Sequence, residues 1–138
     1  MKFYHFLCVI AFFILSVPAA KAQNQQPQTP EQKEKQLLEY VDKEVERLTN
    51  LLNLEYWQEF YVDSTLTHDI KAMTEEMESL QTAKVENSDL YMNVQDKWLQ
   101  QIDDTYKRLF TADQWNKYWK SGGRRAQEAR DKRNKKRK

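Results

Sequence analysis

The sequence predicts an all-α fold: about four helices in an elongated antiparallel hairpin or bundle arrangement, paired as a homodimer. Three observations predict it. Residues 31–121 contain neither proline nor glycine and are rich in Glu, Lys, Gln and Leu, which lose little freedom in a helix. Apolar residues recur at intervals of three and four, the period of one helix face, and no segment alternates as a strand would. Turn and cap residues stand between the periodic segments, at Thr29, Asn53, Asn87 and Thr111.

Ahead of the helices, the first 22 residues have the parts of an export signal. Lys2 and His5 give a short positive region, and Phe6 to Val17 is apolar apart from Ser16. Pro18 follows, and Ala20-Lys21-Ala22 fits an A-x-A cleavage site. The apolar run is about 12 residues, short of the roughly 20 that cross a bilayer. Residues 1–22 are therefore expected to be a cleaved signal peptide, and the protein to be periplasmic or secreted. Cleavage removes Cys8, the one cysteine, so the mature chain has no disulfide and no thiol chemistry. Residues 23–30 (QNQQPQTP) are too polar to bury anything and are expected to be a disordered linker. An all-α domain over 31–121 and a basic tail over 122–138 complete the chain. A core this small is thin for a monomer, which is the argument for pairing.

The first helix is expected from about Glu31 to Leu52, opened by a Thr29 cap and Pro30, with Leu38, Val41, Val45, Leu48 and Leu52 as its apolar stripe. The second spans about Tyr56 to Lys84. Leu66, Ile70, Met73, Met77 and Leu80 form its stripe, and Val62 to Thr67 is poor helix material where a bend or break is expected. Asn87 or Ser88 caps a third helix from about Asp89 to Leu109, striped by Tyr91, Val94, Trp98, Ile102, Tyr106 and Leu109. A fourth starts at Ala112 and pauses at Gly122-Gly123.

Charge is split along the chain. Residues 23–119 carry 10 Lys/Arg against 19 Asp/Glu, a net −9, while residues 120–138 carry 10 against 2, a net +8. Arg124, Arg125, Arg130, Lys132, Arg133, Lys135, Lys136, Arg137 and Lys138 supply most of the tail's charge, and only Ala126 and Ala129 relieve it. The tail is expected to be a solvated helical extension or disordered. Its partners are the acidic body of its own or another chain, or anionic lipid or lipopolysaccharide. Nucleic acid is disfavoured by export and by the lack of an aromatic after Trp119 for base stacking.

The hexamer Phe110-Thr111-Ala112-Asp113-Gln114-Trp115 is the most informative in the chain. Thr111 as N-cap and Gln114 three residues on form a capping box, and Phe110 with Trp115 is placed to staple the corner. Earlier, Leu54-Glu55-Tyr56-Trp57-Gln58 has the same Leu and Gln offset, but Glu55 stands where a hydroxyl belongs, leaving Asn53 as the expected cap. A Leu-Thr-x-x-Gln-type motif occurring twice, one helical hairpin apart, resembles the Spy/CpxP-like periplasmic proteins. Phe110 replaces Leu in the second copy, and the first lacks the Thr. The resemblance covers roughly residues 37–120. It implies a curved antiparallel homodimer with a client-binding face, holding unfolded envelope proteins without ATP or sensing envelope stress. The Gln-led start after Ala-x-Ala also resembles exported proteins of Bacteroidota.

Catalysis has no visible machinery. His68 and Asp69 are consecutive on a helix and are expected to point apart. His68 lacks the three- or four-residue spacing to Glu75 or Glu76 that would make a metal pair. No catalytic, metal or cofactor site is expected. What remains is binding. Twelve aromatic residues follow the signal, more than a thin domain can bury, and Tyr56, Tyr61 and Trp119 lie off or at the edge of their stripes as candidate contacts. The expected function is a chaperone-like or stress-associated binding protein. The alternative is a structural or adaptor protein whose helices pair with one dedicated envelope partner.

Overall fold

A computed structural model describes residues 29–136. The expected signal peptide (1–22), most of the linker, and Arg137 and Lys138 lie outside the described residues. All secondary structure among the described residues is helical: α1 (Pro30–Leu52), α2 (Tyr56–Thr82), α3 (Ser88–Leu109), α4 (Ala112–Tyr118), a π turn (Trp119–Gly123) and α5 (Arg124–Lys136). None of these helices is long and apolar enough to cross a membrane.

The helix starts follow their caps. The Thr29 hydroxyl accepts the Gln32 N–H at 3.3 Å, and the Gln32 side chain accepts the Thr29 N–H at 3.0 Å, with Pro30 in the first turn. Asn87 caps α3 by accepting the Asp89 N–H at 2.9 Å. Asn53, expected to cap α2, instead ends α1. It adopts the left-handed conformation (φ 53°, ψ 57°), which asparagine tolerates better than most residues. Glu55 is the residue that precedes α2.

The core gathers Val41, Leu48 and Leu52 from α1, Val62, Leu66, Ile70, Met73 and Met77 from α2, and Val94, Ile102 and Tyr106 from α3. Leu54 and Phe110 close it at the corners. Two expectations are corrected. Leu38 is 46% exposed, while Leu37 packs against the core. Adjacent leucines lie about 100° apart around a helix, so one partner cannot cover both. Of the bend or break expected at Val62–Thr67, the break is absent, since α2 runs unbroken through it. Val62 and Leu66 are buried there, and their packing outweighs the weak propensity of Asp63, Ser64 and Thr65 between them.

Polar ties align the helices outside the core. Lys33 near the start of α1 pairs with Glu78 near the end of α2 at 2.6 Å. Glu76 of α2 accepts from Lys97 and from the Trp98 indole (2.8 Å), both on α3. These two hydrogen bonds hold the Glu76 carboxyl below its ordinary value.

Past α4 the chain turns at Gly122, whose φ of 153° favours glycine. A side chain on Gly123 would start 3.1 Å from the Tyr118 ring, so that ring can lie close against the backbone. The turn brings α5 against α3. Arg130, 3% exposed, pairs with the buried Asp103, and Arg133 meets both oxygens of Asp96 at 2.9 and 2.6 Å. Among the expectations for the tail, contact with the chain's own acidic body is the one these two arginines realise; over Arg124–Lys136 it is neither disordered nor wholly solvated.

Tyr106 and Tyr118 meet edge to face at 5.5 Å beside this junction. Burial pushes the Tyr40 phenol up to about 12, helped by Glu44, and lifts those of Tyr106 and Tyr118 well above 10.0. A phenol that holds its proton more tightly when folded stabilises the fold fully below the ordinary value of 10.0. That contribution is lost as pH rises towards 12. The urea midpoint is therefore expected to fall between pH 10 and pH 12, and to fall less steeply in Tyr106→Phe. A midpoint constant across that interval would contradict the burial described.

Candidate functional site

The two corners predicted from the glutamine motifs meet in space. At the α3–α4 corner the Thr111 hydroxyl accepts the Gln114 N–H at 3.3 Å, and Gln114 Oε1 accepts the Thr111 N–H at 2.9 Å, completing the box. At the α1–α2 corner Gln58 Oε1 accepts the Glu55 N–H at 3.0 Å. The Glu55 carboxylate accepts the Trp57 indole N–H at 2.7 Å. Each glutamine thus caps its own helix from the third position, with or without a hydroxyl in the sequence.

The amides then bond each other. Gln58 Nε2 donates to Gln114 Oε1 at 2.8 Å, and Gln114 Nε2 donates to Gln58 Oε1 at 3.0 Å. The remaining hydrogens reach the ends of the preceding helices: Gln58 Nε2 to the Leu109 carbonyl at 3.2 Å, Gln114 Nε2 to the Leu52 carbonyl at 3.4 Å. A primary amide has two donors and two acceptor positions, and both glutamines use all four. Gln58 is only 2% exposed, so this satisfaction is what permits its burial.

Leu54 and Phe110 are buried beside the amide pair. The expected Phe110–Trp115 staple takes another form. Phe110 stacks on Tyr106 at 5.0 Å and meets Tyr118 at 6.0 Å, while Trp115 packs on Tyr118 and Trp119, both at 5.5 Å. Tyr118 lies between the two residues, one turn further along α4 than a staple requires.

Turning Gln58 and Val62 inward turns their neighbours outward. Tyr56 is 86% exposed, Phe60 64%, Tyr61 55% and Trp57 49%. Tyr61 meets Phe60 edge-on at 5.8 Å and Trp57 at 6.3 Å. These four side chains form an exposed aromatic patch over the first two turns of α2. Of the three contacts expected from sequence, Tyr56 and Tyr61 lie on it, whereas Trp119 is half-buried and stacked on Trp115. Trp57 and Phe60 were missed. The signal for them was present: once Gln58 and Val62, four apart, take the inner face, positions 57, 60 and 61 fall outside.

Beside the patch, an open groove between α1 and α2 is lined by Asp42, Glu46, Glu59 and Asp63, together with Val45, Thr49 and Asn50. On α5, Arg124, Arg125, Lys132, Lys135 and Lys136 are exposed, with Arg124 paired to Glu128 at 3.7 Å. The basic tail therefore divides into two inward arginines and an outward cationic face.

His68 corrects another expectation. Its Nδ1 lies 2.8 Å from Asp69 Oδ1, although the residues are consecutive. Asp69 is buried and accepts from Gln101 Nε2 at 3.0 Å, whereas the His68 side chain is 74% exposed and free to fold back over it. No group of three or more His, Cys, Asp or Glu placed to hold a metal occurs among the described residues.

No family model, curated protein or solved structure matches this chain. The geometry at the corners is thus what speaks for function. It offers a rigid, hydrogen-bonded junction presenting aromatic surface, with carboxylates along one side.

Replacing Gln58 by Leu is expected to cost about 2–3 kcal/mol in urea unfolding, because the partners left behind stay buried without bonds. A double-mutant cycle of Gln58→Ala with Gln114→Ala is expected to give a coupling of about 1–3 kcal/mol. Thr111→Ala is expected to cost about 1 kcal/mol by loss of the cap alone. Additive effects of the two glutamine changes would show that the amides do not act as a pair.

Proposed function

We propose that this chain is an exported, non-enzymatic binding protein that holds unfolded envelope polypeptides without ATP. It works in the periplasm as an elongated antiparallel helical homodimer, in the manner of the Spy/CpxP-like proteins its glutamine motifs resemble. The observation that carries the reading is the patch of Tyr56, Trp57, Phe60 and Tyr61. Four large aromatic side chains left in solvent on a helix that has a core to pack against are costly unless they meet another surface.

The patch suits weak, broad recognition. Aromatic rings offer large contact area with few rotatable bonds. Holding requires no chemistry, only apolar surface that competes with aggregation. The outward cations of α5 are the part of the chain that would touch anionic lipid head groups or lipopolysaccharide.

Purified protein at near-stoichiometric ratio is expected to suppress light scattering by a chemically denatured substrate diluted without ATP. Trp57→Ala with Phe60→Ala is expected to abolish most of that suppression while leaving the helical circular dichroism unchanged. Undiminished aggregation in the presence of the unaltered protein would sink the reading.

A further inference from the structure

The aromatic patch is not ringed evenly. On α2, Glu59 lies three residues from Tyr56, and Asp63 three from Phe60, so both carboxylates share an edge with the exposed rings. That edge continues into the α1–α2 groove, where Asp42 and Glu46 face Glu59 and Asp63 with no Lys or Arg in the lining. Apolar rings and four carboxylates are thus contiguous on one surface.

We infer that this surface docks polypeptide segments of one chemistry: aromatic or aliphatic side chains flanked by lysine or arginine. The inference rests on the binding function proposed above and names the class of client. An apolar side chain of the segment covers Phe60 and Tyr61 while a neighbouring cation lies along Glu59 and Asp63. The carboxylates sit beside a low-dielectric apolar surface, where charge attraction is stronger than in open water. Arginine serves both halves at once, since its guanidinium also stacks on aromatic faces.

Charge decides between the occupants. An anionic lipid surface would be repelled along the whole carboxylate edge. A second copy's most concentrated exposed cations lie on α5, which carries no apolar side chain larger than alanine, and among the described residues its exposed large apolar side chains outside the patch are the separate leucines Leu38, Leu51 and Leu90. A cationic, apolar segment of another protein satisfies both.

Two fluorescently labelled peptides test this, sharing one Leu/Phe core and flanked either by three lysines or by three glutamates. Anisotropy with the full protein at low salt is expected to show the lysine-flanked peptide binding at least tenfold more tightly. The difference should shrink towards nothing in 0.5 M NaCl. Glu59→Lys with Asp63→Lys is expected to remove or reverse the preference. Trp57→Ala with Phe60→Ala is expected to weaken both peptides. Equal binding of the two peptides, or a preference that survives the charge reversal, overturns the inference. So does comparable binding of phosphatidylglycerol vesicles that Phe60→Ala abolishes, or a dimer in light scattering that Phe60→Ala dissociates. The aggregation assay on the same samples separates the two failures. Suppression without charge preference overturns only this inference; no suppression and no peptide binding overturns the holding function with it.

Discussion

The reciprocal amide pair of Gln58 and Gln114 is the constraint from which the rest of the architecture follows. A helix leaves its first N–H groups and last carbonyls without partners, and two helix ends meeting at a corner would bury both kinds. Here each Oε1 takes up an N–H at the start of its own helix, and each Nε2 takes up a carbonyl at the end of the helix before the other corner. No other uncharged side chain except asparagine has this set of two donors and two acceptors, and asparagine is one methylene shorter. Glutamate would keep the caps but lose every outward donor, and would bury a charge. Because Gln58 must face inward, the rings around it must face outward, so the same hydrogen bonds that close the corner display the aromatic patch.

Electrostatics at the other end of the chain works through two buried carboxylates, Asp103 and Asp96. Asp103 receives the Tyr118 hydroxyl from α4 and the Arg130 guanidinium from α5, so both C-terminal helices are tied to one residue of α3. Two desolvated charges contribute little net stability, but breaking such a pair leaves an uncompensated charge. Its effect is therefore to fix where α5 sits. Arg133 on Asp96, one turn further along, repeats the arrangement nearer to solvent.

Much of this was legible in the sequence, and the limits have physical causes. Helix ends were readable because caps are local: Thr29, Asn87 and Thr111 each act within three residues of themselves. The stripes of α2 and α3 were readable because periodicity reports one face. Asn53 was misplaced because a residue good at starting helices is also good at ending them, and only backbone conformation separates the two. Within the tail, nothing local separates Arg130 and Arg133 from Arg124 and Arg125, since what distinguishes them is Asp103 and Asp96 more than twenty residues away. The glutamine motifs announced two corners and gave no sign that the corners touch. Contact between them depends on the end of α3 returning to the start of α2, which no short motif encodes.

That contact also sets an order of events. Gln58 and its amide partner are 56 residues apart in sequence, so in a chain emerging N-terminus first the residues of α1, α2 and α3 are all present before Gln114 exists to answer Gln58. Until then the first corner carries an amide with half its bonds missing, which water must supply. Completion waits for the last quarter of the chain. A protein cut short before α4 would lose far more than a short helix: it would lose the lock on the corner that presents its aromatic surface.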